Sequence, residues 1–377
     1  MHIEQLHWQG NGWEPAPFGQ IPQAQLVLLF GSPAALRIPT PLQQLQAAYP
    51  RAFLVGCSTA GDIMGTSVFD EGLVATAIHF EHTALQGRCL RLQEGMSSFQ
   101  AGEVLAQKLD PEGLTHVLVL SEGVAVNGSE LVAGLQQQLP AHVGITGGLA
   151  GDGDRFQETL LLWNGQAETH SILALGFYST RLRVGSGSFG GWEAFGPYRQ
   201  VTRSSGNRLY ELDGRSALFL YQAYLGEQAH DLPAAGLLFP LSVFTTALEK
   251  PVVRTLLAVH EADQSITFAG DVPQGSYARL MRTTIPQLVA GAREAARTSV
   301  EPLGASSAEL AILISCVGRK LVMQQRVEEE LQGVRQALGE RPILTGFYSY
   351  GEIAPFTPGT LCRLHNQTMT ITTFAEQ

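Results

Sequence analysis

A strand–helix–strand pattern ending in a glycine loop recurs three times along the chain, and this repeat constrains the fold more than any other feature. The first copy opens on the apolar run Gln25–Phe30, bounded by Gly31 and Pro33, which predicts a buried strand. A helix follows, with Thr40 at the N-cap, Pro41 at the first helical position, Leu42 and Leu45 at helical spacing and Pro50 as the stop. A second strand, Ala52–Val55, then runs into Gly56-Cys57-Ser58-Thr59-Ala60-Gly61-Asp62-Ile63.

The second copy has a strand at His116–Leu120, a turn at Asn127-Gly128 and a helix from Ser129 to the stop at Pro140. Its second strand, His142–Thr146, enters Gly147-Gly148-Leu149-Ala150-Gly151-Asp152. In the third copy Leu310–Ile314 is followed by Ser315-Cys316-Val317-Gly318-Arg319, read as a loop, and by a helix that carries Val327, Leu331, Val334 and Leu338 and ends at Gly339. The strand Ile343–Thr345 then enters Gly346-Phe347-Tyr348-Ser349-Tyr350-Gly351-Glu352-Ile353. Copies one and three match without a gap: Gly56 with Gly346, Gly61 with Gly351, Asp62 with Glu352, Ile63 with Ile353. Each loop is followed by a strand read as rich in Thr and Val: Leu73–Phe80, Thr159–Trp163 and Thr368–Phe374. The pattern predicts an α/β chain of α+β character: two related halves of repeated β-α-β units, with mixed sheets flanked by helices.

Composition narrows the class. A chain of 377 residues exceeds one domain at roughly 150 residues each. With 45% apolar and 15% charged residues, it has the material for a large core. The net charge of −10, without a Lys/Arg run, argues against nucleic acid as a partner. The longest apolar stretch, Ala234–Phe244, contains Pro240 and is half a membrane span, so no membrane insertion is expected. The N-terminus has no export signal, and Cys57, Cys89, Cys316 and Cys362 form no C-x-x-C, which together suggest a cytoplasmic protein. The glycine-rich stretch Gly185–Gly196 reads as a linker that divides the chain into 24–195 and 196–377 and lets the halves close on a ligand.

A glycine turn with hydroxyls at the carboxyl end of a strand directs backbone N–H groups into one concavity, where a small anionic or zwitterionic ligand can sit. On this ground the candidate ligand-binding residues are Gly56, Cys57, Ser58, Thr59 and Gly61 of the first loop. In the third loop they are Tyr348, Ser349 and Tyr350 as a wall and Glu352 as partner to an ammonium group. The alternative is that the glycines only permit tight turns, with Asp62 and Glu352 capping backbone N–H groups. The loop is not a nucleotide loop, because Asp62 stands where a phosphate-binding lysine belongs. No nucleophile elbow or zinc spacing occurs. Cys57 and Cys316 remain as candidate nucleophiles for an enzyme, and His170, His230 and His260 as candidate haem ligands.

Several longer segments, VGCSTAGDI (Val55–Ile63), ELDG (Glu211–Gly214), GDVPQGSYARLM (Gly270–Met281), SCVGRK (Ser315–Lys320), GFYSYGEIAPF (Gly346–Phe356) and LHNQT (Leu364–Thr368), resemble the FIST sensory family. The resemblance spans nearly the whole chain, with a FIST N-terminal part before a FIST C-terminal part. It implies a sensor rather than an enzyme: a protein that binds a small polar, amino-acid-like ligand and signals to a histidine kinase or a cyclic-di-GMP enzyme. A stand-alone subset of the family implies an alternative, a haem-based nitric oxide sensor acting on a histidine kinase in a two-component system. Because the sequence holds no recognisable output segment, signalling is expected in trans or through a change of oligomeric state, such as a homodimer.

Overall fold

The computed structural model describes residues 1–245, 251–357 and 359–377. All three copies of the repeat are present. In the first, β1 (Leu26–Gly31) and β2 (Phe53–Ser58) pair in parallel and are joined by α1 (Pro39–Ala48); β3 (Asp62–Met64) then leaves the glycine loop. The second consists of β4 (Leu114–Ser121), α2 (Gly128–Gln138) and β5 (Gly144–Leu149). The third begins with an edge strand, β6 (Leu182–Phe189), and the helix α3 (Ile285–Val300). It continues with β7 (Leu310–Cys316), α4 (Val317–Met323), α5 (Glu328–Leu338), β8 (Ile343–Ser349), β9 (Gly351–Pro355) and β10 (Met369–Glu376).

The loop glycines hold one register in all three copies. Gly56 lies opposite Leu29, Gly147 opposite Val119 and Gly346 opposite Leu313. A Cβ at any of them would fall 1.7 or 1.8 Å from the facing carbonyl oxygen. Only glycine lets the parallel strands approach so closely.

The hairpins that follow the loops do not return to their own sheets. β3 pairs with β8, setting Ile63 against Gly346; β9 pairs with β5, setting Ile353 against Gly147; and Leu161–Trp163 pairs with β2, setting Leu162 against Gly56. Copy one thus completes the sheet of copy three, copy three that of copy two, and copy two that of copy one. The gapless match of Asp62-Ile63 with Glu352-Ile353 is a match of hairpin positions. The three resulting sheets, of seven, six and six strands, enclose an apolar interior built in layers of equivalent residues, such as Leu28, Leu118 and Ile312, then Phe30, Leu120 and Ile314. Each such side chain, fully buried, contributes about 1.5–3 kcal/mol. Helices α2, α3 and α5 bury their apolar faces on the outside.

Residues 193–282 form an antiparallel eight-stranded sheet with a helix, Ala217–Leu225, and a core of their own. Their two ends adjoin, since Glu193 pairs with Arg282, so this unit is an insertion in the third copy. Among the described residues no helix is long and apolar enough to cross a membrane.

Three local expectations are corrected. The stretch Gly185–Gly196 is not a linker: Gly185 and Gly187 belong to β6, and the strand Glu193–Ser205 follows a turn at Gly190-Gly191. A Cβ at Gly185 or Gly187 would lie 1.9 or 2.1 Å from the Ser299 or Ala295 carbonyl oxygen of α3, so these glycines serve close packing rather than flexibility. The first helix starts at Pro39, after an extended Ile38, because a residue before proline avoids the helical region. Ser315–Arg319 is not a loop either: it ends β7 and opens α4.

Candidate functional site

Each parallel pair ends its strands at the same pole, so the three glycine loops meet there. Ser58 and Thr59 accept from Gly151 N (2.9 Å) and Gly153 N (3.2 Å), while Ala60 N donates to Tyr348 O and Tyr348 N to Gly61 O, each at 2.8 Å. Tyr350 N closes the ring on Leu149 O at 3.2 Å. The candidates drawn from loops one and three are therefore brought together.

Most of them, however, satisfy one another. Gly56 is a packing glycine. Cys57 is fully buried in the interior, and Ser58 Oγ accepts from Leu160 N at 2.8 Å. Thr59 Oγ1 donates to Asp62 Oδ1 (2.6 Å) and accepts from Gly61 N (3.1 Å). Tyr348 points its hydroxyl at Glu330 Oε1 (2.7 Å), away from the loops. Glu352 is fully buried and takes its bonds from Ser349 Oγ (2.8 Å), Thr368 N (3.1 Å) and Thr368 Oγ1 (2.9 Å), which leaves no place for an ammonium group. Burial pushes the Asp62 carboxyl up to about 7 and that of Glu352 up to about 8.

Tyr350 is the candidate that faces open space. It lines a cavity of about 250 Å³ between the loop pole and the inserted sheet. Its hydroxyl donates to Asp152 and accepts from Asp152 N and Phe156 N, each at 3.1 Å. Burial opposes ionisation of Asp152, but the N–H groups of Phe156, Gln157 and Glu158 and the Tyr350 hydroxyl outweigh it and hold the carboxyl below its ordinary value. Phe156 stacks on Tyr350 with centroids 4.3 Å apart, and its backbone is held at φ +52°, a costly conformation for a bulky residue. Across the cavity stand Asn207, Leu257 and Asp271 of the insertion; Asp271 Oδ1 accepts from Asn127 Nδ2 at 3.1 Å. Among the described residues Asp271 is the only acid that lines the space, and no basic residue lines it. Val124 (48% exposed) and Leu257 (37%) present bare apolar surface from its two sides.

Phe156, Asn127 and Asp271 were not among the sequence candidates. Asn127-Gly128 and Gly270-Asp271 were visible as a turn and as part of a longer motif, but nothing in their spacing joins them.

The thiols and histidines singled out from sequence lie away from this cavity. Burial raises the Cys57 and Cys316 thiols far above the ordinary value, the reverse of an activated nucleophile. His170 and His230 are exposed, and His260 bonds Thr267 Oγ1 at 2.9 Å. Among the described residues no cluster of three His, Cys, Asp or Glu is placed to hold a metal ion.

The profile of the FIST N domain matches residues 25–215, and that of the FIST C domain matches residues 217–355. Among solved structures, the cyanuric acid hydrolase from A. caulinodans is similar at 9% identity and a TM-score of 0.38, covering 95% of this chain and 91% of that one. No curated protein matches the sequence.

Proposed function

The chain belongs to the FIST family, whose domains sense small ligands in signal transduction, and from that premise we propose that the cavity under the inserted sheet binds a small amine-bearing, amino-acid-like metabolite without transforming it. The observation that carries this reading is the two-sided lining. The ligand's ammonium group meets Asp271, and its side chain lies on Phe156 and Tyr350 and between Val124 and Leu257. A ligand touching both the loop pole and the insertion favours their closed arrangement, and its binding energy is the source of the signal. A partner protein, a histidine kinase or a cyclic-di-GMP enzyme, then reads the position of the insertion.

Binding without catalysis is supported by the state of the nearby acids. Glu122 accepts from Val124 N (2.9 Å), Ala125 N (2.7 Å) and Thr159 Oγ1 (2.9 Å), and Asp152 is equally engaged. Carboxylates so saturated hold loops in place and are poor proton carriers. The test is a thermal-shift screen of the twenty amino acids and their decarboxylated amines. At least one is expected to stabilise the protein, and Asp271→Asn to remove that response. A screen without response overturns the reading. So does a strong Soret band that shifts with nitric oxide when the protein is prepared with a haem precursor.

A further inference from the structure

At one seam of the three-fold arrangement the side chains leave a groove. In the second strand of each copy, alternate residues face the interior. In β2 they are Phe53, Val55 and Cys57, and in β8 they are Ile343, Thr345 and Phe347. In β5 the same positions are Gly144, Thr146 and Gly148. Where the first copy meets the edge strand Ala84–Arg91, Phe53 and Trp163 stack at 5.8 Å over Gly87 and close the seam. Where the third copy meets the N-terminal strand His2–Trp8, Gln5 Nε2 donates to Leu344 O at 2.9 Å. Where the second copy meets β6, Gly144 offers no side chain, and a groove of about 630 Å³ remains.

The groove is on the opposite side of the sheets from the glycine loops, and its lining is selective. In a chain of net charge −10, no Asp or Glu is among the described residues that line it. Arg183, exposed at its rim, has no ion pair among the described residues. At its floor His116, 3% exposed, bonds Thr146 Oγ1 through Nε2 at 2.8 Å. Its Nδ1 faces the bare Gly144, where a Cβ would come within 2.8 Å, and has no hydrogen-bond partner among the described residues. The hydroxyl of Ser186, 8% exposed, also lies at the floor and has no hydrogen-bond partner among the described residues. Leu182, Val184, Pro302 and Leu361 supply apolar walls between floor and rim.

We propose that this seam groove is a second ligand site, distinct from the cavity under the insertion, and that it takes a monocarboxylate with an apolar body and a hydrogen-bonding group at its far end. The carboxylate lies at Arg183, the body fills the volume that Phe53 and Ile343 occupy in the other copies, and the far group bonds His116 Nδ1 or Ser186 Oγ. Both groups line the groove, and a ligand that hydrogen-bonds them gains specificity over one that does not.

The test is calorimetric titration of the full chain with 4-hydroxyphenylacetate, phenylacetate and 4-hydroxyphenylacetamide. The expected result is saturable binding of the first and about tenfold weaker binding of the other two, which lack the floor contact or the charge. Arg183→Glu, an exposed change, is expected to weaken 4-hydroxyphenylacetate about tenfold, and Gly144→Phe to abolish its binding by restoring the side chain present in the first copy. Near-ultraviolet circular dichroism checks that Gly144→Phe is folded; if it is not, Arg183→Glu decides. No saturable binding to the unaltered protein overturns the proposal, as does unchanged affinity in Arg183→Glu. Asp271→Asn leaves this binding intact, so failure here and failure of the amine site are separate results.

Discussion

Asp62 and Glu352 occupy the same hairpin position in two copies, and burial is the largest influence on both, so each carboxyl is raised despite the hydrogen bonds that oppose it. A group whose folded pKa exceeds its unfolded value takes up a proton on folding. Its contribution is whole below about pH 4 and is lost as pH rises through about 7 for Asp62 and about 8 for Glu352. His116 and His365 are buried as neutral rings, with pKa lowered to about 3 and about 4, and behave in the opposite sense. Their contribution is whole above about pH 6.5 and is lost as pH falls toward those values. The two pairs offset one another between about pH 4.5 and 6.5, each group changing stability by at most about 1.4 kcal/mol per pH unit. Thermal unfolding followed by circular dichroism is therefore expected to show a plateau across that window and a decline on either side. Asp62→Asn combined with Glu352→Gln is expected to flatten the alkaline decline; an unchanged slope counts against burial as its cause. The acid pair was legible in the sequence as a gapless match. Its burial was not, because exposure depends on the hairpin exchange that covers it.

At the scale of the element, the start of α2 joins local order to the cavity. Asn127 accepts from Ser129 N (3.0 Å) and Glu130 N (3.2 Å) through Oδ1, and its amide nitrogen reaches Asp271. Ser97 caps another helix, Ser98–Gln107, through a capping box and does not line the cavity. Asn127→Ala and Ser97→Ala are each expected to cost about 1 kcal/mol in urea unfolding. Only Asn127→Ala is expected to weaken the response to an amine ligand, and equal responses in the two variants would separate the cap from the site. The asparagine–glycine pair reads as a turn in the sequence, but the structure makes it the N-cap and first residue of α2, because the asparagine side chain takes up the free N–H groups there. The bond to a residue 144 positions away had no local signature.

For the whole molecule, the exchange of hairpins means that no copy completes its own sheet, whereas the insertion has its own core and adjacent ends. Its neck is held from the core side: Arg319, fully buried with Glu330, donates to Gly190 O and, at 2.9 Å, to Leu288 O. Replacing residues 193–282 by a short Gly-Ser bridge is therefore expected to leave a folded three-copy core with one cooperative thermal transition. The amine response should be lost, since Asn207, Leu257 and Asp271 go with the insertion. A truncated protein that still responds would place the amine site elsewhere, and one without a cooperative transition would show that the core needs the insertion.

Composition and local pattern determined the fold class, the three strand–helix–strand copies, the helix periods and the equivalence of Gly56 with Gly346, because these depend on short-range sterics and on the period of apolar residues. Tertiary structure alone decided which sheet each hairpin joins, why Gly185 and Gly187 pack under a helix instead of forming a linker, and that Tyr350 is the candidate residue facing open space. Those outcomes depend on contacts between residues far apart in the chain. A glycine that turns a loop, one that admits a carbonyl oxygen and one that leaves a groove are the same letter until their neighbours are in place.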